Sequence, residues 1–286
     1  MSALAFLRRF CRSWIAATGL AVVVLVVFVA VFAPYLMPFN PDAQDIILRL
    51  RPPGSNFGEG VHLLGTDALG RDVLSRLMIS ARVSLLIGFA SVVVSGAIGV
   101  TLGLVMGYDD RWLGRGLMAL TDIQLAVPFL VLALAVVAVL GPSLINLIMV
   151  LGVTNWVQYA RVVRAESLVL KNREFVHAAR ALGASTIRIL WRHLLPNVMS
   201  SVIVISSLQV AKMILLESSL SFLGLGVPAS IPTWGVMIAD GRNYVANAWW
   251  VAATPGIAIF LTVIGINLVG DRLRDLLDPK LRQVET

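Results

Sequence analysis

The side chains best suited to covalent or metal chemistry here are His62, His177, His193 and Cys11, and their spacing assembles nothing catalytic. No His-Glu-x-x-His run or close pair of cysteines exists to hold zinc, so no metal site is expected. A lone cysteine forbids an intrachain disulfide, and Cys11 reads as an inert thiol. A phosphate-cradling P-loop needs Gly-Lys followed by Ser or Thr. Lys171, Lys212 and Lys280 follow Leu170, Ala211 and Pro279, so the chain has no such loop. A Gly-x-Ser-x-Gly nucleophile elbow is missing as well. No catalytic residue and no cofactor is therefore expected in this chain.

Three ionisable residues stand out for their surroundings instead. Asp122, Lys212 and Glu217 fall inside apolar runs, where a charge is costly unless paired or hydrated. On a helix, Lys212 and Glu217 point about 140° away from each other, so they are not expected to pair directly. One reading has the three lining a path or meeting a partner chain. The other places them in buried hydrogen-bond networks, with Lys212 snorkelling towards water.

Residues 174–197, EFVHAARALGASTIRILWRHLLPN, form a charged, helix-prone insert. The pattern predicts a short helix over about 173–182. Gly183 ends it, because glycine tolerates the left-handed conformation common at helix C-termini. Ser185 caps the next helix, and Pro196 interrupts its regular continuation. Ala178, Ala179 and Ala181 keep the first helix slim, so it can enter a groove on another protein. His177 and His193 read as polar loop residues near such a surface. An ordinary solvated connector would not need this alternation of small, apolar and cationic residues, which favours docking.

The scaffold that must carry these residues is a membrane one. Of 286 residues, 58% are hydrophobic and 14% charged, with mean hydropathy +0.87. Soluble domains sit nearer about 45–50% and about 25%. The net charge of +7 would suggest nucleic acid in a soluble protein. Here it reflects Lys and Arg gathered in cytoplasmic loops, and no nucleic acid partner is expected. Crossing about 30 Å of hydrocarbon takes roughly 20 apolar residues. Six spans result: 14–33 stopped by Pro34, then about 83–107, 117–140, 144–159, 199–223 and 250–269. The first is too long for a cleaved signal and reads as a permanent anchor. The second carries Gly88, Ser91, Ser95, Gly96, Gly99 and Gly103, which permit close helix approach. Pro128 is positioned to kink the third.

Basic residues set the orientation. With the N-terminus inside, Arg8, Arg9, Arg12, Arg111, Arg115, Arg161, Arg164 and the 171–192 cluster face the cytoplasm, as do Arg272, Arg274, Lys280 and Arg282. Only Arg49, Arg51, Arg71, Arg76, Arg82 and Arg242 fall outside, so both termini are expected to be cytoplasmic. Asp42, Asp45, Glu59, Asp67 and Asp72 offset the outer arginines. The outer loop, 34–82, begins irregularly and is expected to turn helical from Thr66, capped by Thr66 or Asp67. Trp234, Trp249 and Trp250 fit an aromatic belt at the outer interface.

Several blocks together resemble the permease subunits of ABC importers. His177, Ala178, Ala179, Gly183, Leu195 and Pro196 match the EAA loop of that family. His177 stands where the family has glutamate, with Glu174 a turn earlier. Residues 64–85, 219–238 and 267–282 are similar to blocks of dipeptide, oligopeptide and nickel permeases, and the order fits their C-type subunit. The resemblance implies an all-α integral membrane protein with six transmembrane helices, the type I ABC importer permease fold and a cytoplasmic coupling helix. It divides the chain into an anchor and outer loop (1–82) and a permease domain (83–286) with its coupling loop at about 160–198. It implies that Glu174, His177, Ala178, Ala179, Arg180, Gly183, Ala184, Ser185, Leu195 and Pro196 dock on an ATPase. Within that set Ala178, Ala179 and Gly183 give the close fit, and Glu174 and Arg180 the rim contacts.

The implied partners are a second homologous permease in a heterodimer, two ATP-binding subunits using ATP and Mg²⁺, and a periplasmic or lipid-anchored binding protein. The implied place is the inner membrane of a prokaryote, and the implied cargo is di- or oligopeptides, with nickel or a nickel chelate as the alternative. A different-class rival is an ion-coupled secondary transporter. It calls for inverted repeats and broken helices, and the sequence displays neither. A membrane-bound scaffold is the remaining rival.

Overall fold

The computed structural model describes residues 10, 11, 13–57, 60–109 and 111–277. Arg8, Arg9, Arg12, Glu59, Lys280 and Arg282, which entered the charge argument, lie outside them, as does the end of the 267–282 block. The chain is mostly helix: α1 (Trp14–Leu36), α2 (Val73–Tyr108), α3 (Trp112–Ala126), α4 (Phe129–Leu140), α5 (Leu144–Leu170), α6 (Glu174–Ala181), α7 (Thr186–Phe222), α8 (Trp234–Gly241) and α9 (Trp250–Leu277). Among the described residues, α1, α2, α7 and α9 are long and apolar enough to cross a bilayer. The bent pair α3–α4 becomes a fifth if it counts as one span. α5 is long, but Asn146, Asn155, Gln158 and Arg161 dilute its apolar first part and Arg164 and Glu166 follow, so it does not qualify on composition.

Several local expectations need correction. The third span does not run straight through Pro128: α3 and α4 meet at 89°. Val127, held extended before the proline (φ −90°, ψ 121°), makes the break. One broken helix is therefore present where the sequence displayed none. Pro34 does not stop α1 at once but sits inside its last turn, where it removes the amide that would donate to Ala30 O, and the helix ends two residues later at Leu36. Helix does not begin near Thr66. Gly65 and Gly70 adopt positive φ, and the Asp67 carboxylate accepts the amides of Leu69 and Arg71 to close a turn. Asp72 then caps α2, accepting the Ser75 amide at 2.7 Å.

The chain forms two compact units. The first contains the described residues up to 89, with 140–147 and 210–269. Its core gathers Val73, Ala81, Ile214, Trp234, Met237, Trp250 and Ile259. Trp234 and Trp250 are thus core residues rather than belt residues, while Trp249 is exposed. Their indole N–H groups are satisfied inside, donating to Leu77 O and Thr66 O at 3.2 Å each. α1 packs on α9 through small residues: a Cβ at Gly19 would lie 2.7 Å from Leu268 Cβ. A short antiparallel hairpin pairs Ser55 with His62 and Asn56 with Val61.

Of the described residues, the second unit contains those in 90–139, 148–209 and 270–277. Met106, Trp156, Val157 and Ala160 form its apolar centre. Gly99, Gly103 and Gly107 bring α2 against α5. Added Cβ atoms there would meet Trp156 O, Ala160 O and Ser167 Cβ at 2.3, 2.8 and 2.4 Å. α6 and the first part of α7 belong to this unit.

Candidate docking helix and its supports

α6 is built from local rules. Glu174 sits in its first turn and Arg180 in its last, each favourable to the helix dipole. Gly183 closes it at φ +79°. The Ala184 amide donates to Ala179 O and the Gly183 amide to Arg180 O, both at 3.0 Å, giving the paired bonds of a Schellman terminus. Ser185 then caps α7, its hydroxyl accepting the Arg188 amide at 3.4 Å. Within the expected docking set, Gly183, Ala184 and Ser185 therefore also hold the turn together.

The faces of α6 differ. Val176 and Ala179 are buried within the chain, whereas Glu174, Phe175, His177, Ala178 and Leu182 are exposed. Ala179 thus faces inward, and the open surface centres on Ala178 and Leu182. Leu182, at the C-terminal cap of α6, is 88% exposed.

α7 passes Pro196 without ending. Leu190–Leu194 form a π-helical turn, and the Leu195 amide donates to Leu190 O. The wider turn suits a residue that lacks an amide hydrogen and crowds the carbonyl four positions back. Asn197 Nδ2 donates to His193 O at 2.6 Å, satisfying one of the carbonyls near the irregular turn. Leu195 is half-buried and Pro196 exposed.

Two side-chain contacts brace α6. Arg180 Nη2 donates to the Tyr108 hydroxyl at 3.1 Å, and the guanidinium carbon lies 5.5 Å from the Tyr108 ring centroid. Phe175 faces the His193 ring with centroids 6.4 Å apart. Tyr108 escaped the sequence reading because nothing local links it to a residue 72 positions later.

The three ionisable residues of the apolar runs separate. Asp122 pairs with Arg161 at 3.3 Å on an exposed surface of the second unit. Glu217 is fully buried, accepting from Ser221 Oγ at 2.8 Å and Ser218 Oγ at 3.3 Å. Lys212 is exposed on α7.

A second polar constellation was unforeseen. Asp67 binds Arg71 Nε at 2.6 Å and lies 3.7 Å from Arg76 Nε. Arg71 also reaches Asp240 at 3.4 Å, and Asp72 meets His62 Nδ1 at 2.9 Å. These pairs neutralise loop arginines that weighed against the orientation. The acids in 64–72 signalled it, but Asp240 lies 169 residues from Arg71.

Known proteins match this architecture. Residues 99–283 fit the family described as binding-protein-dependent transport system inner membrane component, and residues 4–53 fit the N-terminal TM domain of oligopeptide transport permease C. The di/tripeptide transport system permease of Pseudomonas aeruginosa is 45% identical over 97% of this chain and 92% of its own. The dipeptide transport system permease of Escherichia coli K12 is 45% identical over 97% and 93%. The glutathione transport system permease of Pectobacterium atrosepticum is 41% identical over 97% and 91%. Among solved structures, the MetNI methionine ABC transporter gives a TM-score of 0.58 at 20% identity, covering 71% of this chain and 96% of its own, a likeness of fold.

Proposed function

The chain belongs to the family of binding-protein-dependent transport system inner membrane components, and we propose that it forms half of a translocation path for di- or oligopeptides. It is a multi-pass inner-membrane permease subunit of an ABC importer, with the permease fold, and is not itself the ATPase. The observation that carries the peptide reading is 45% identity across 97% of the chain to two permeases named for di- or tripeptides. Family membership sets aside the ion-coupled transporter, and these relatives do not favour nickel.

In this reading a second homologous permease completes the path. Two ATP-binding subunits supply the work with ATP and Mg²⁺, and a binding protein delivers cargo outside. Both termini and α6 lie in the cytoplasm, and six crossings are made. The exposed Glu174, His177, Ala178 and Leu182 of the α6 region meet an ATPase cleft. Closure of the ATPases then biases a two-state permease by making different contacts in each state.

Substrate is tested by uptake. Cells lacking this chain are expected to lose import of a labelled dipeptide and regain it on complementation, with nickel uptake unchanged. Lost nickel uptake beside intact dipeptide uptake would overturn the peptide reading.

A further inference from the structure

We infer that Arg180 is a positioning residue of the import cycle, forming with Tyr108 a strut that makes α2 follow the movement of α6. The inference rests on the reading that α6 docks on an ATPase.

Arg180 is the only arginine or lysine of α6 and was expected at the rim of a docking face. Its guanidinium engages Tyr108 twice, through a hydrogen bond to the hydroxyl at 3.1 Å and a cation–π contact at 5.5 Å. Two contacts from one planar group fix direction as well as distance. Tyr108 is the last residue of α2. Just before it, Gly99, Gly103 and Gly107 hold α2 against α5 at distances that admit no added Cβ. A displacement delivered at Tyr108 therefore enters a close-packed helix pair, which transmits it rather than absorbing it.

Covalent geometry shows what the strut adds. α6 connects to α5 through residues 171–173 and to α7 through 182–185. Motion of α6 reaches those helices through the backbone. α2 ends far earlier in the chain and has no such connection, so its link must be non-covalent. Besides the glycine packing on α5, Arg180–Tyr108 supplies a direct link from an exposed flank of α6, leaving Ala178 and Leu182 open.

The test uses the assembled importer in proteoliposomes, with its binding protein and ATPases, and reads dipeptide transported per ATP hydrolysed. Tyr108→Leu and Arg180→Ala are each expected to lower this ratio by about fivefold, the scale of an exposed cation–π contact plus a hydrogen bond. Tyr108→Phe keeps the ring and Arg180→Lys keeps the cation, so both retain part of the ratio. The double variant Y108L/R180A is expected to be no worse than either single, because the two side chains act as one device. Transport and hydrolysis falling in proportion would mark a merely structural role and overturn the strut. Independent, multiplying losses would overturn it too, as would a defect in Arg180→Ala without one in Tyr108→Leu. Crosslinking from a cysteine at Leu182 separates the strut from the docking reading. Crosslinks to an ATPase subunit with an unchanged ratio overturn the strut alone, whereas no crosslink removes the docking reading and the strut with it.

Discussion

At Gly183 the constraint is the backbone and not space. The residue sits at φ +79°, and nothing lies within 4 Å of an added Cβ. Gly183→Val is therefore expected to strain the α6 terminus by about 1–2 kcal/mol and impair uptake, while Gly183→Asn, which tolerates the left-handed region, keeps most of it. Equal uptake by the two variants would show that the turn is not held by its dihedrals. Asp67 poses the opposite case, a buried carboxylate facing Arg71 and the almost fully buried Arg76. Asp67→Ala leaves Arg71 with Asp240 alone and Arg76 with the more distant Asp42, and is expected to cost about 1–3 kcal/mol. A thermal melt of the purified complex checks this. Gly183 was legible in the sequence because a helix terminus is decided by a few neighbouring residues. The Arg71–Asp240 contact was not, because its partners meet only after the chain has folded.

Helices were legible as far as their causes are local. Apolar runs announced α1, α2, α7 and α9, since length and hydropathy decide whether a helix can sit in lipid. Pro128 announced a disturbance, but not that it reaches 89°. The pre-proline residue sets only that Val127 leaves the helical region, and packing sets where α4 then goes. The π-turn at Leu190–Leu194 is a similar case: Pro196 predicts an interruption, and the helix widens rather than stops. The second span's glycines were read as permitting close approach, and the structure identifies α5 as the helix that Gly96, Gly99 and Gly103 approach and α7 as the one that Gly88 meets. Gly103→Leu is expected to push α2 from Ala160 and Val163 and to destabilise the complex by about 1–3 kcal/mol. Gly116→Leu, with nothing within 4 Å of its Cβ, is the matched control. Equal melting temperatures for the two would show that the α2–α5 approach contributes nothing to stability.

At the scale of the whole molecule, the number of crossings and the docking reading constrain each other. α1, α2, α7 and α9 qualify as spans without further argument. If they alone cross, a chain that starts in the cytoplasm also places α6 and its C-terminus there. If α3–α4 crosses as a bent pair, α5 must cross as well, or α6 moves to the far side and away from any cytosolic ATPase. Four and six crossings both keep α6 inside, and five does not. Even parity thus supplies an argument for α5 that its composition does not, and the polar second half of α5 would then emerge into the cytoplasm. Single cysteines in a Cys11→Ser background, probed with a membrane-impermeant thiol reagent, decide the matter. Leu182→Cys and Asp109→Cys are expected to react only from the cytoplasmic side. Ile46→Cys, at an exposed position, and Ser143→Cys are expected to react only from outside. Ser143→Cys reacting from the cytoplasm would reduce the count to four and make α3–α4 a re-entrant segment. Leu182→Cys reacting from outside would leave α6 with no ATPase to meet, and the proposed coupling would fail with it.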